Sequence, residues 1–314
     1  MKNEVCTIGS ATWDVFFTTP QAVLGRCSND DYLMFPYGGK IDALNVKYGF
    51  GGGAANVAVA LSRLGIKATI LTRLGRDWRG REVANNLSAQ GVKLSLLQYD
   101  KTLVTPLSFI ATGGGSHDHV AFVDRGSAKG LKLPASLPGS MSWFYITSLA
   151  DKNWSGALFK LFLSAAKNEQ KIFWNPGAAQ IAQRQKMIRL LPLVEVLDVN
   201  KEEAEILTAS NNKSVPVLLK KLKSLGSKAV LITDGGKGAY YFDGQLIIHQ
   251  PSFKIKPLNT TGAGDSFGAG WLAGYMYSQG DIRQAMLWGM RNATAVIKTI
   301  GAQNGLLGLK QIKK

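Results

Sequence analysis

Asn259-Thr260-Thr261-Gly262-Ala263-Gly264-Asp265-Ser266-Phe267-Gly268 joins a short polar turn to a glycine-rich bend, an aspartate and the start of a run with helical character. Gly262 and Gly264 carry no Cβ, so the backbone can turn sharply there and point successive N–H groups outward. At a helix start such N–H groups are unpaired and carry the positive end of the macrodipole. That setting suits a phosphate, or the charge that develops as one is transferred. Asp265 stands in the same turn. A carboxylate there can take the proton of an attacking hydroxyl while the backbone of Gly262, Ala263 and Gly264 holds the phosphoryl group under attack. A structural turn capping a closely packed helix is the competing reading of the ten residues.

Other motifs compete for the same positions. Gly264-Asp265-Ser266-Phe267-Gly268 satisfies the G-x-S-x-G pattern of hydrolases, with Ser266 as nucleophile. That fold needs an acid and then a histidine downstream, and His117, His119 and His249 all lie upstream. The dinucleotide fingerprint fails because Phe267 takes the place of its third glycine. A Walker A loop is absent: Gly38-Gly39-Lys40 is followed by Ile41, and Lys237 by Gly238.

A second constellation lies two hundred residues upstream. Phe50-Gly51-Gly52-Gly53-Ala54-Ala55-Asn56-Val57-Ala58-Val59-Ala60-Leu61-Ser62-Arg63-Leu64-Gly65 is a glycine turn opening an amphipathic helix that a further glycine closes. Here the chain resembles the phosphofructokinase B, or ribokinase, family of sugar and nucleoside kinases. Gly51, Gly52 and Asn56 fit its G-G-x-x-x-N signature, and Asn259 to Asp265 fit its D-T-T-G-A-G-D signature with one departure. Asn200 and Glu203 look like its N-x-x-E element. Leu231 to Ala239 look like its nucleotide-side strand and turn, and Gly75 to Gly80 match another of its turns. These elements keep the family's order and cover nearly the whole chain.

The resemblance implies an α/β, ribokinase-like fold: a mainly parallel central sheet with helices on both faces and a small β lid, residues 1–314 forming one unit. The alternation of patterns agrees. Strands are expected at Val5–Gly9, Ala68–Leu74, Trp143–Thr147, Lys171–Trp174, Val194–Asn200 and Ala229–Thr233. Helices are expected at Ala54–Leu64, Gly80–Gln90, Trp154–Lys167, Lys201–Leu207, Val215–Leu225, Ala263–Tyr277 and Asp281–Lys298. Residues 15–48 and 104–124 interrupt the alternation with short β-branched and aromatic runs bounded by Gly, Asp and Asn. By resemblance they form the lid over the sugar site and a homodimer contact; long surface loops are the alternative. Gly113-Gly114-Gly115 suggests a flexible tip.

Composition bounds the function. With 314 residues, 46% hydrophobic and 18% charged, the chain is long enough for a large core. Two cysteines without metal spacing, an N-terminus interrupted by Glu4 and Gly9, and no apolar run of spanning length predict a cytoplasmic protein without a membrane segment. The net charge of +16 raises the question of nucleic acid. Its densest run, Lys220, Lys221 and Lys223, is interleaved with Val217, Leu218, Leu222 and Leu225, the pattern of a helix's solvated side, without aromatic stacking residues. That disfavours nucleic acid as a main partner. His117 and His119 alternate on one face, but no third ligand completes a zinc set.

Site roles follow from the resemblance. Asp265 is the base and contacts the acceptor, with Gly262, Ala263 and Gly264 holding the phosphoryl group. Asp14 holds acceptor hydroxyls or is a turn residue. Gly52 lets substrate approach the backbone, and Asn56 contacts a hydroxyl or makes a purely structural hydrogen bond. Asn200 and Glu203 organise Mg2+ through water, the alternative for Glu203 being an ordinary first-turn acid. Thr233, Gly235, Gly238, Asn200 and Gly264 line the nucleotide, with Asn292 near the adenine. ATP and Mg2+ are the implied cofactors, and the acceptor a small unphosphorylated sugar or a nucleoside. A catalytically silent sugar-binding relative and a basic nucleic-acid-binding protein are the alternatives of other classes. Three departures bear on specificity. Gly53 stands where many relatives carry lysine, which argues against a phosphosugar. Ser148 lies near a glutamate of ribokinases, which weakens ribose itself. Asn259 replaces the first aspartate of the signature, which puts monovalent-cation activation in doubt.

Overall fold

The computed structural model describes residues 4–27, 30–113 and 119–314. The expectations placed on Gly114, Gly115 and His117 lie outside them. Eight strands form the central sheet, in the spatial order Ile247–Gln250, Ala239–Phe242, Ala229–Thr233, Val196–Asn200, Lys171–Trp174, Met141–Ile146, Glu4–Ile8 and Lys67–Leu71. Neighbours pair in parallel from Lys67–Leu71 across to Ala229–Thr233, and the last two strands add an antiparallel edge. The parallel strands are buried on both faces, so they read as continuous apolar runs such as Val5-Cys6 and Ile172-Phe173-Trp174. The antiparallel hairpin was missed in the sequence, although Asp243-Gly244 between two apolar runs is a turn signal.

Helices Gly53–Arg63, Ala263–Tyr277 and Ile282–Val296 cover one face, where Leu61, Phe267, Trp271 and Met286 pack on Val5, Tyr145, Phe173 and Leu231. Trp154–Lys167 and Val215–Ser224 cover the other, through Leu158, Phe162, Leu218 and Leu222. Lys220 and Lys221 of the second helix do point away from its buried Leu218, Leu219 and Leu222. Chain order reverses about the Glu4–Ile8 strand, the position at which ligands collect beyond the carboxyl ends of strands in open α/β sheets.

Four further strands, Val120–Asp124, Leu107–Gly113, Thr12–Thr19 and Asn45–Gly51, make a second sheet. Its registers place Tyr48, Val15, Phe109 and Phe122 in one row across the sheet. The opposite face carries Asp14, Phe16 and Ile110, all buried, together with exposed Lys47. Its Thr12–Thr19 and Asn45–Gly51 strands run directly from the end of Glu4–Ile8 and into the helix Gly53–Arg63. The polar residues of the second sheet are thereby brought to the rim of the first.

Candidate active site

Two glycine turns build the centre. Gly52, at φ 88°, opens the helix Gly53–Arg63, and a Cβ there would stand 2.6 Å from the Ser10 carbonyl oxygen. Gly262, at φ 78°, opens Ala263–Tyr277 and leaves no room for a Cβ beside Ala302. Both left-handed turns require glycine. They bring Asn56 and Asp265, 209 residues apart in sequence, into a hydrogen bond in which Asn56 Nδ2 donates to Asp265 Oδ2 at 2.8 Å. Burial pushes the Asp265 carboxyl above its ordinary range, and the Asn56 bond opposes that rise. Asp14 lies beside Gly51 at the start of the same helix, its Oδ1 accepting from Thr12 Oγ1 at 2.7 Å. Burial raises its pKa to about 6 against the opposing hydrogen bonds from Thr12 and Ser108.

A cavity of about 690 Å3 opens on the other side of the glycine turn. Thr233, Gly235, Gly238 and Gly264, expected near the nucleotide, line it, as does Ala263, together with an apolar wall that includes Phe253, Met290, Ala293 and Ile297. Lys254 and Lys256 also line it and are exposed. Apart from its chain neighbours and the backbone of its own helix, no described atom lies within 4 Å of the point where a Gly264 Cβ would stand, so the first turn of the helix presents bare backbone to the cavity. The Ala263 N–H donates to the Thr260 carbonyl at 3.2 Å, a correction to its role as a phosphoryl donor. Gly264 and Asp265 follow it in the first turn, where N–H groups have no intrahelical acceptor.

Acidic groups gather beneath this turn. Asp198 is buried in the middle of the strand Val196–Asn200, and its Oδ2 has no hydrogen-bond partner among the described residues. The Tyr145 hydroxyl is likewise buried and unpartnered, and a Cβ at Gly268 would collide with it and lie 3.0 Å from Asp198 Oδ2. Burial, Glu203 and Asp265 all push the Asp198 carboxyl up. Sequence reasoning passed over Asp198 because its burial was not visible there. Asn200 and Glu203 form a reciprocal capping box: Asn200 Oδ1 accepts from the Glu203 N–H at 2.8 Å, and Glu203 Oε2 from the Asn200 N–H at 3.0 Å. Glu203 is half-buried, and desolvation raises its pKa.

The family pattern described as pfkB family carbohydrate kinase matches residues 2–307. The chain belongs to the pfkB family of carbohydrate kinases. These are phosphotransferases that act on hydroxyl groups, so this pfkB kinase is an enzyme of that class. It is 25% identical to a ribokinase of Haemophilus influenzae over 303 residues, covering 90% of this chain and 94% of the relative. Its fold is that of Arabidopsis thaliana ribokinase solved with ribose and ATP, with a TM-score of 0.81, 19% identity and coverage of 100% and 98% of the two chains. Burkholderia thailandensis nucleoside kinase, solved with inosine, gives 0.80 and 18%, with coverage of 98% and 96%.

Several positions in this pfkB kinase differ from expectation. Asn292 does not line the cavity. It is fully buried, donates to the Ser266 carbonyl at 2.8 Å and accepts from the Leu307 N–H at 3.1 Å, so it ties two helices and a loop together. Asn200 is also not among the residues that line the cavity. Ser266 is buried and donates to the Gly262 carbonyl at 2.7 Å, which removes the nucleophile-elbow reading. Gly53 presses on Thr147, whose atoms would stand 2.9 Å from a Cβ, so a lysine does not fit there without displacement. Asn259 is buried, with Oδ1 accepting from the Thr261 N–H at 3.1 Å. No described helix is long and apolar enough to cross a membrane.

Proposed function

We propose that the enzyme transfers the γ-phosphoryl group of ATP to a hydroxyl of a small unphosphorylated sugar or sugar-like molecule. The observation that carries this is the junction of the two glycine turns. Asp265 there lies in hydrogen-bond contact with Asn56, next in the chain to Gly264 of the cavity wall, while Asp14 lies beside Gly51 at the other glycine turn. Asp265 accepts the proton of the attacking hydroxyl, while the N–H groups of the first helical turn face the charge developing on the transferring group. Asp14 and Asn56 orient the acceptor, and Lys254 and Lys256 attract the triphosphate. Phe253, Met290, Ala293 and Ile297 offer the base an apolar wall.

Asp198 Oδ2 is buried without a hydrogen-bond partner among the described residues, and the charges of Glu203 and Asp265 add to the crowding there; the described residues form no group of three acids that would ligate a metal directly, so a divalent cation would relieve this charge through water. Mg2+ held there, through Asn200 and Glu203 by way of water, would supply charge neutralisation for the phosphates. Glu203→Gln is expected to raise the Mg2+ concentration for half-maximal rate several-fold, while the KM of the acceptor stays unchanged. An unmoved Mg2+ titration would return Glu203 to capping alone.

Gly53 against Thr147 supports an unphosphorylated acceptor, since a lysine that would neutralise a second phosphate does not fit, and an unpaired dianion beside Asp14 and Asp265 is costly. A nucleoside is the second reading, favoured by the fold shared with the inosine-bound kinase. The deciding experiment is an ADP-release screen over fructose, ribose, adenosine and the matching phosphosugars, each with K+ and with an inert large cation. Free sugars are expected to lead. K+ stimulation is expected to be weak, because Asn259 supplies no charge and its oxygen is committed to Thr261. A phosphosugar preference, or a large K+ dependence, would defeat the corresponding half.

A further inference from the structure

We infer that Gln303 is a positioning residue for the catalytic carboxylate, the middle member of a one-way chain of hydrogen bonds that runs from Asn86 to Asp265. Asn86 Nδ2 donates to Gln303 Oε1 at 3.0 Å, Gln303 Nε2 donates to Asn56 Oδ1 at 3.2 Å, and Asn56 Nδ2 donates to Asp265 Oδ2 at 2.8 Å. This inference rests on Asp265 being the base.

The direction of the chain follows from its end. An ionised carboxylate only accepts, so Asn56 must turn its NH2 toward Asp265 and its carbonyl toward Gln303. Gln303 must then donate with its own NH2, which leaves its carbonyl facing Asn86. Each amide is thereby held in one of its two orientations. Asn56 and Gln303 are buried, 4% and 6% exposed, so a reversed amide would set like atoms face to face without water to relieve them. The chain favours the ionised, proton-accepting form of Asp265, the form a base must have.

Gln303 is itself fixed from behind. Arg63 Nη1 donates to the carbonyls of Gln303 at 2.9 Å and Leu306 at 3.2 Å, and Arg63 Nε donates to Gln90 Oε1 at 2.9 Å. Gly301, at φ 98°, turns the loop into this position. The helices Gly53–Arg63 and Trp78–Ala89 thus both brace the residue that orients Asn56.

Two substitutions and their combination test the chain. Gln303→Met keeps the length of the side chain and removes the donor. It is expected to lower kcat by about tenfold, the value of one hydrogen bond, with the KM for ATP unchanged within about twofold. Asn86→Asp places an acceptor opposite Gln303 Oε1, reverses Gln303 and then Asn56, and turns the Asn56 carbonyl on Asp265. It is expected to lower kcat similarly from a position outside the site, and the double variant is expected to be no slower than Gln303→Met alone. Should Gln303→Met not fold, as judged by its melting temperature, Asn86→Asp retains the test. Normal kcat in both single variants, or full additivity in the double, overturns the chain. Asp265→Asn separates the two claims: turnover retained in that variant removes the base, and with it anything to position. Turnover lost there but normal in Gln303→Met and Asn86→Asp removes only the chain.

Discussion

Asp265→Asn is expected to lower kcat by on the order of a hundredfold or more, the span of a positioned acid–base group, with the KM for ATP little changed. The substitution keeps the size of the side chain and an oxygen able to accept from Asn56 Nδ2, so the contact between the two helices survives. What it removes is the lone pair that takes the hydroxyl proton. Stability at neutral pH is expected to hold, because burial already disfavours the ionised carboxyl and the amide carries no charge to desolvate. The acid limb of the rate profile provides an independent readout. The rate falls as Asp265 is protonated, above the ordinary carboxylate range because burial raises its pKa. Asp198 and Glu203 share that neighbourhood and are also raised, so the limb belongs to the carboxyl groups together. Near-normal turnover in the variant would remove the assignment.

Asp14→Asn is expected to separate function from stability. If the carboxylate holds acceptor hydroxyls, its loss raises the acceptor KM by roughly ten- to a hundredfold, the worth of a charged hydrogen bond, with the KM for ATP unmoved. The same change is expected to stabilise the fold near pH 7. Burial raises the pKa of Asp14 from its ordinary 3.8 to about 6, so the native state resists ionisation that the unfolded chain accepts. Below pH 4 both states are protonated and there is no penalty. Between pH 4 and 6 the unfolded state loses its proton first and native stability falls, and above pH 6 the loss is constant at about 3 kcal/mol. The amide avoids that loss while still accepting from Thr12. Urea unfolding at pH 7 and pH 4 is therefore expected to show a gain at the higher pH that vanishes at the lower. An unchanged acceptor KM would return Asp14 to a structural role, and equal stability at both pH values would contradict its burial.

The glycine turns, the alternating strands and helices and the pairing of Asn200 with Glu203 depend on local rules: φ angles only glycine adopts readily, apolar periodicity, and a helix start three residues long. They could be read directly. Local spacing also displayed Asn200 and Glu203 as partners, yet both a metal site and a capping box use that spacing, and the box is what the fold displays. Other features hinge on burial and on contacts between distant segments, which no window of sequence contains. Asn292 sits in the predicted helix but on its inner side, where the carbonyl of Ser266 and the amide of Leu307 claim it. Asp198 is conspicuous only once its carboxylate is seen to be buried without a partner. Gln303 meets Asn56 across 247 residues, and Gly53 lacks room because Thr147 arrives from just beyond the strand Met141–Ile146. The sequence by itself determined the glycine turns, the helices and parallel strands and the family of chemistry, because those arise from interactions among near neighbours. Which side chains converge on the reacting atoms, and which are held back as structural ties, was decided by the tertiary structure, because burial and long-range hydrogen bonding exist only once the chain has closed on itself.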